Sequence, residues 1–92
     1  MINHLGLAYR ARKIVIGTDM TVESIRKKAV HLVLLAHDAS DLTKKKILDK
    51  SKFYDVEVNQ AWSSSELSDA IGKKGVKVIG ITDRGFCRLL SQ

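Results

Sequence analysis

The sequence predicts an α/β protein, a three-layer α/β/α sandwich on a four-stranded mixed sheet with the element order α-β-α-β-α-β-α-β-α. Three observations lead there. Apolar residues at helical spacing alternate along the chain with short β-branched runs. The run from His31 to Ala36 does not alternate in polarity, which fits a central strand covered on both faces. Finally, 92 residues supply one core and not two, so residues 1–92 are expected to form a single domain.

Leu5, Ala8 and Tyr9, with Ile2 a turn earlier, stand on one face of a helix from Ile2 to Arg12, with Arg10, Arg12 and Lys13 near its end. Ile14-Val15-Ile16 is a short strand stopped by Gly17. Thr18 or Asp19 can cap the next helix, whose stripe is Val22, Ile25 and Ala29. After the central strand, Asp41 to about Tyr54 reads as a helix with a poorly spaced stripe of Leu42, Ile47 and Tyr54. Val56 and Val58 begin a period-two strand that can reach Trp62. Ser63 and Glu66 form a capping box, Leu67, Ala70 and Ile71 make the stripe, and Gly72 ends that helix. Val76 to Ile81 is a further buried strand, and Phe86, Leu89 and Leu90 give the apolar face of a closing helix.

Sixteen Lys and Arg against ten Asp and Glu leave a net charge of +6, and a polyanion is the partner such an excess suits. A solubilising surface is the plainer reading, so position has to decide. The single Cys87 cannot bridge internally, and the N-terminal stretch lacks the pattern of a secretory signal, which together point to the cytosol. No apolar run approaches the ~20 residues of a membrane span.

Catalytic chemistry has no visible footing. Neither nucleotide-binding glycine fingerprint occurs, and His4, His31 and His37 stand at no metal-ligand spacing, so no metal, cofactor or enzyme activity is expected. Asp38 could mimic a phosphoacceptor or ribose-binding acid, or be an Asx turn at a strand-to-helix junction. Cys87 reads as a buried thiol, and Trp62 as a core residue or a lone stacking platform. Ligands of such sandwiches gather where loops leave the strand ends, here Gly17-Thr18-Asp19, Asp38-Ala39-Ser40 and Lys73-Lys74-Gly75. The last loop reaches the same edge only if its strand runs antiparallel to its neighbours, which periodicity leaves open. Arg26, Lys27 and Lys28 on the helix leaving the first loop, with Lys73, Lys74 and Lys77 about the third, are suited to phosphates, and Gly17, Gly72 and Gly75 allow close backbone approach.

Gly17-Thr18 opening a helix, Leu32-Val33-Leu34-Leu35-Ala36 followed by Asp38-Ala39, and the segment Ser65 to Gly72 together resemble the ribosomal protein L7Ae family of kink-turn RNA binders. Leu5-Gly6-Leu7-Ala8, Asp38-Ala39-Ser40 and Ala70-Ile71-Gly72-Lys73 look most like its small bacterial YlxQ-like branch. The resemblance implies a non-catalytic sandwich that binds structured RNA and serves ribosomes or RNA-protein particles. In such proteins the Gly17 loop and its helix would enter the groove at tandem sheared G·A pairs, while the Gly72 to Val78 loop meets the extruded nucleotide. The family's reading motif Gly-x-Asn-Glu-x-x-Lys falls on Gly17, Asp19, Met20 and Glu23, and only the glycine matches. Guanine offers acceptors on its groove edge, so Glu23 weakens base reading where a lysine would strengthen it.

The expected RNA site is therefore Gly17 and Thr18 for backbone approach, with Asp19 accepting from an exocyclic amine and Met20 and Glu23 filling the altered motif. Arg26 and Lys27 are expected on phosphates, Ser40 at the second loop, and Lys73, Lys74 and Gly75 on the bent strand. These cations and glycines are expected at one rim of a cytoplasmic monomer. The alternatives are a protein-interaction module that has lost RNA reading, and a small enzyme or anion-binding domain using Asp38 and the Gly17 loop.

Overall fold

A computed structural model describes residues 3–90. The element order is α1 (Asn3–Arg10), β1 (Ile14–Ile16), α2 (Thr18–Arg26), β2 (Leu32–Leu35), α3 (Asp41–Phe53), β3 (Glu57–Asn59), α4 (Ser64–Ile71), β4 (Val78–Ile81) and α5 (Arg84–Leu90). The four strands lie in the order β1-β4-β2-β3. β4 is antiparallel to both β1 and β2, and β2 is parallel to β3. α2 and α3 pack on each other, while α1 packs on α4 and α5, giving a helical layer on each side of the sheet. Every residue of β2 and β4 is buried, as strands covered on both faces require.

Local chemistry sets the element ends. α4 carries the full capping box, with Ser63 Oγ accepting from Glu66 N and Glu66 Oε1 accepting from Ser63 N, and Gly72 closes it in the left-handed conformation at φ 70°. α1 stops at Arg10, short of the expected Arg12, because Arg12 turns left-handed (φ 59°) and the Lys13 N–H bonds back to Ala8 O. Ile2 lies outside the described residues. α2 is capped by Gly17 and not by Thr18 or Asp19, and Ala29 falls beyond its end, exposed. β3 ends at Asn59 because the Asn59 side chain accepts from Ala61 N at 2.8 Å and turns the chain. Val56 and Val76 stay outside the sheet for a related reason. The first donates to Ser51 O at 2.7 Å in the closing turn of α3, and the second donates to the buried Ser68 Oγ at 2.9 Å. Two expected stripe residues face water: Leu42 is 80% exposed and Leu89 40%.

The core is centred on Leu32 to Ala36 and Val78 to Ile81, with Leu5, Ile25, Ile47, Leu67 and Leu90 reaching it from the helices. Gly80 sits inside β4 because a Cβ there would come 2.9 Å from Val15 Cγ2 and 3.0 Å from Val30 Cγ2. Against this tight wall lies Thr21, fully buried, whose Oγ1 has no hydrogen-bond partner. An unpaired buried hydroxyl costs about 1 to 3 kcal/mol, whereas an apolar group of the same shape costs nothing of that kind. Thr21→Val is therefore expected to raise the thermal midpoint by several degrees, since about 1 kcal/mol moves a domain of this size by roughly 4 to 8 °C. A lowered midpoint in calorimetry would mean that the hydroxyl finds a partner in solution.

Candidate nucleic-acid interface

The topology settles which loops meet. β1, β2 and β3 all end where β4 begins, so the Gly17 turn, the Asp38 loop, the start of α4 and the segment before β4 share one edge of the sheet. Gly17 N donates to Val78 O and Ala36 N to Lys77 O, at 2.9 and 2.8 Å, which ties the base of this edge together. Between the loops runs an open groove of about 270 Å³ lined by Gly17, Thr18, Lys73, Lys74, Gly75 and Lys77. Five of the expected site residues stand around it.

Two glycines shape the groove. Gly17 has φ 99° and Gly75 φ 68°, and a Cβ at either would meet nothing within 4 Å, so conformation and not crowding demands glycine. The N–H groups of Gly17 and Gly72 are already spent on Val78 O and Asp69 O, and so are not donors for a ligand. The donors at this edge come instead from the first turn of α2, whose N-cap glycine has no side chain to satisfy them. Lys73 is aimed by its neighbour, with Nζ 5.7 Å from the centroid of the Tyr9 ring.

The altered motif residues are paired. Asp19 Oδ1 accepts from Lys46 Nζ of α3 at 3.0 Å, and Glu23 Oε1 lies 3.8 Å from Lys27 Nζ one turn on. Both pairs are exposed and contribute about 0 to 1 kcal/mol each, so they are readily exchanged for other partners. Met20 stands between them on α2, 58% exposed. Lys46 belongs to the run Lys44-Lys45-Lys46 on α3, and nothing in the spacing announces its contact with Asp19.

Arg26 and Lys27 are not at the groove. α2 carries the chain from the edge where β1 ends back to the edge where β2 begins, and its nine residues span about 12 Å. The expectation of a single basic rim is thus corrected: Gly17, Thr18, Lys73, Lys74 and Gly75 surround the groove, and Arg26 and Lys27 sit at the far edge. Ser40 is at the near edge but is occupied as the N-cap of α3, where its Oγ accepts from Thr43 N at 3.2 Å.

Asp38 works at longer range than an Asx turn. Its carboxylate accepts from Ser64 N at 2.8 Å and from Ser64 Oγ at 3.0 Å, docking the start of α4 against the end of β2. The Ser64 N–H, reinforced by the Ser64 hydroxyl and the Lys77 ammonium, holds this carboxyl below the usual carboxylate range. Trp62 is half-buried against the core. Burial pushes the Cys87 thiol up to about 11, which keeps it protonated and unreactive at neutral pH. Among the described residues no group of three His, Cys, Asp or Glu could hold a metal ion, and no helix is long and apolar enough to cross a membrane.

Comparison with known proteins agrees with this architecture. Residues 2–91 match the model of the ribosomal protein L7Ae/L30e/S12e/Gadd45 family. The chain is 44% identical over 86 residues to the RNA-binding protein YlxQ of Bacillus subtilis strain 168, covering 94% of this chain and 86% of that protein. It is 42% identical over 87 residues to the RNA-binding protein YlxQ of Enterococcus faecium, covering 95% and 84%. A solved structure of a protein of unknown function from Bacillus halodurans superposes with a TM-score of 0.94 at 41% identity, over 98% of this chain and 91% of that one. A 15.5 kD RNA-binding protein of Giardia lamblia shares the fold, with a TM-score of 0.81 at 16% identity, over 98% of this chain and 78% of its own.

Proposed function

The chain belongs to the ribosomal protein L7Ae/L30e/S12e/Gadd45 family, and from that premise we propose that residues 1–92 act as one non-catalytic RNA-binding domain, a cytosolic monomer that recognises a kink-turn or similarly bent RNA and serves the ribosome or an RNA-protein particle. One observation carries the reading: the uncapped start of α2 and the Lys73-Lys74-Gly75 loop face each other across one groove. The first offers N–H donors at the positive end of a helix, and the second offers exposed cations, so a sharply bent backbone finds partners on both walls. Two YlxQ relatives above 40% identity are themselves named RNA-binding proteins. Gly17 and Thr18 would lie against the widened groove, and Lys73 and Lys74 against the strand that leaves the bend.

The exchanged motif residues divide affinity from selectivity. Phosphate contacts supply most of the binding, whereas base edges supply discrimination of about 1 to 3 kcal/mol per good contact. The expected behaviour is tight, salt-sensitive binding with a modest preference for the kinked form. The test compares a kink-turn hairpin with the same hairpin whose sheared G·A pairs are replaced by Watson–Crick pairs, in a salt titration. A preference for the kinked hairpin supports the reading, and equal affinity at every salt concentration removes kink-turn recognition from it. The pairing of Asp19 and Glu23 with lysines favours a second reading, a protein-interaction module, and absence of RNA binding together with nuclease-resistant association with one protein would select it.

A further inference from the structure

The most basic part of the molecule is not the groove. The turn from α1 into β1 holds Arg10, Arg12 and Lys13, and the turn from α2 into β2 holds Arg26, Lys27 and Lys28, with no acid inside either stretch. Both turns open on the far edge of the sheet, where Ile14 and Leu32 each pair with Ile81 from opposite sides. Lys13 O accepts from Thr82 N at 2.8 Å and His31 N donates to Ile81 O at 2.9 Å, which fixes the two turns on either side of β4. Strands 4.7 to 4.9 Å apart place the strand starts Ile14 and Leu32 about 10 Å from each other, and the two turns rise from there to the helical layers on either face of the sheet. Arg10, Arg12, Lys13, Arg26, Lys27 and Lys28 are all exposed.

Four carboxylates stand near this edge, and exposed Asp55 just before β3 is one of them. Glu23 lies 3.8 Å from Lys27, Asp83 Oδ2 accepts from Phe86 N at 3.0 Å to start α5, and Glu57 stands one strand further out at the head of β3. The carbonyl ends of α1 and α2 favour a cation each, but three in each turn exceed what a helix end needs. So dense a stripe is the electrostatic footprint of a polyanion. The four residues of β2 and β4 separate the two edges by about 13 Å of backbone, so the stripe is a surface apart from the groove.

We propose that the far edge, through Arg12, Lys13, Arg26 and Lys28, is a second RNA-phosphate surface, so that one copy of the protein holds two RNA segments at opposite edges of its sheet. The proposal rests on the RNA reading above and extends it from a binder to a bridge. The far edge grips a helical backbone without reading sequence, while the groove selects the bend. Two helices of one folded RNA are then held on either side of a body whose extents are 28 × 25 × 22 Å.

The test immobilises a kink-turn hairpin, loads the full chain, and measures retention of a labelled A-form RNA duplex that lacks the motif. The chain as it stands is expected to retain the duplex. Arg12→Asn, Lys13→Gln, Arg26→Gln and Lys28→Asn are combined in one variant, with asparagine chosen because Arg12 and Lys28 are left-handed at φ 59°. This variant is expected to hold the hairpin with little change and to retain at least about tenfold less duplex at moderate salt, having lost several phosphate contacts. The pair Arg12→Lys with Arg26→Lys, which keeps the charge, is expected to retain it, and hairpin binding by the combined variant excludes misfolding as the cause. Undiminished duplex retention by the combined variant overturns the proposal, as bridging by two copies through their grooves would also show. If the hairpin is not bound but duplex binding in solution still falls on the combined substitution, the far edge stands and the groove reading fails.

Discussion

Glu23→Lys is expected to tighten binding to a kink-turn RNA by about 1 to 3 kcal/mol, roughly five- to 150-fold in Kd. Two changes add. In the proposed docking, a carboxylate that would face the acceptor edge of guanine is replaced by a donor, and the Lys27 ammonium, 3.8 Å from Glu23, loses its partner. One effect opposes them: lysines one turn apart on α2 repel, at about 0.2 to 0.5 kcal/mol in helix stability. Base contact exceeds that penalty, so the net sign is favourable. The check is a pair of salt titrations on kinked and Watson–Crick-paired hairpins. Affinity should rise more for the kinked form than for the paired one. An equal rise for both would reduce the effect to charge alone, and no rise would mean that α2 does not enter the RNA at this position.

Much of the fold is legible in the sequence because its signals are local. The capping box at Ser63 and Glu66, the unalternating Leu32–Leu35 strand and the β-branched run at Ile14–Ile16 depend on neighbours a few residues away, and all three stand where periodicity puts them. Element ends are less legible, since Val56 and Val76 look like strand residues until their N–H groups are seen bonded to Ser51 O and Ser68 Oγ. The site is hardest to read. Which cations share an edge depends on the direction of β4, a pairing across more than sixty residues that no local pattern encodes. Arg26 and Lys27 follow Gly17 closely in sequence, yet a helix of nine residues delivers them to the opposite edge. Lys73 and Lys74, far away in sequence, come back to Gly17. Asp38 shows the same limit, because its partner Ser64 is reached through packing and not through a turn.

Removing Lys73 and Lys74 together is expected to produce the largest loss of affinity at the groove. Each contact with phosphate contributes about 0.7 to 0.9 to the slope of log affinity against log salt, so Lys73→Ala with Lys74→Ala should flatten that slope by about 1.4 to 1.8 and weaken binding most at low salt. The two lysines are not equivalent. Lys73 lies over the Tyr9 ring at 5.7 Å, which limits the rotamers it must give up on binding and so lowers the entropy cost of its contact. Tyr9→Leu should therefore weaken binding through Lys73 while leaving the slope unchanged, because no charge is lost. A slope that stays the same in the double lysine variant would take the loop away from the RNA. A slope that flattens in Tyr9→Leu would show instead that the ring is needed to bring Lys73 into phosphate contact at all. The stability of the loop is not at issue in either variant, since its anchor is the Val76 N–H on the buried Ser68 hydroxyl at 2.9 Å. Affinity can thus be read as a property of two exposed ammonium groups on a fixed frame, and the slope counts them.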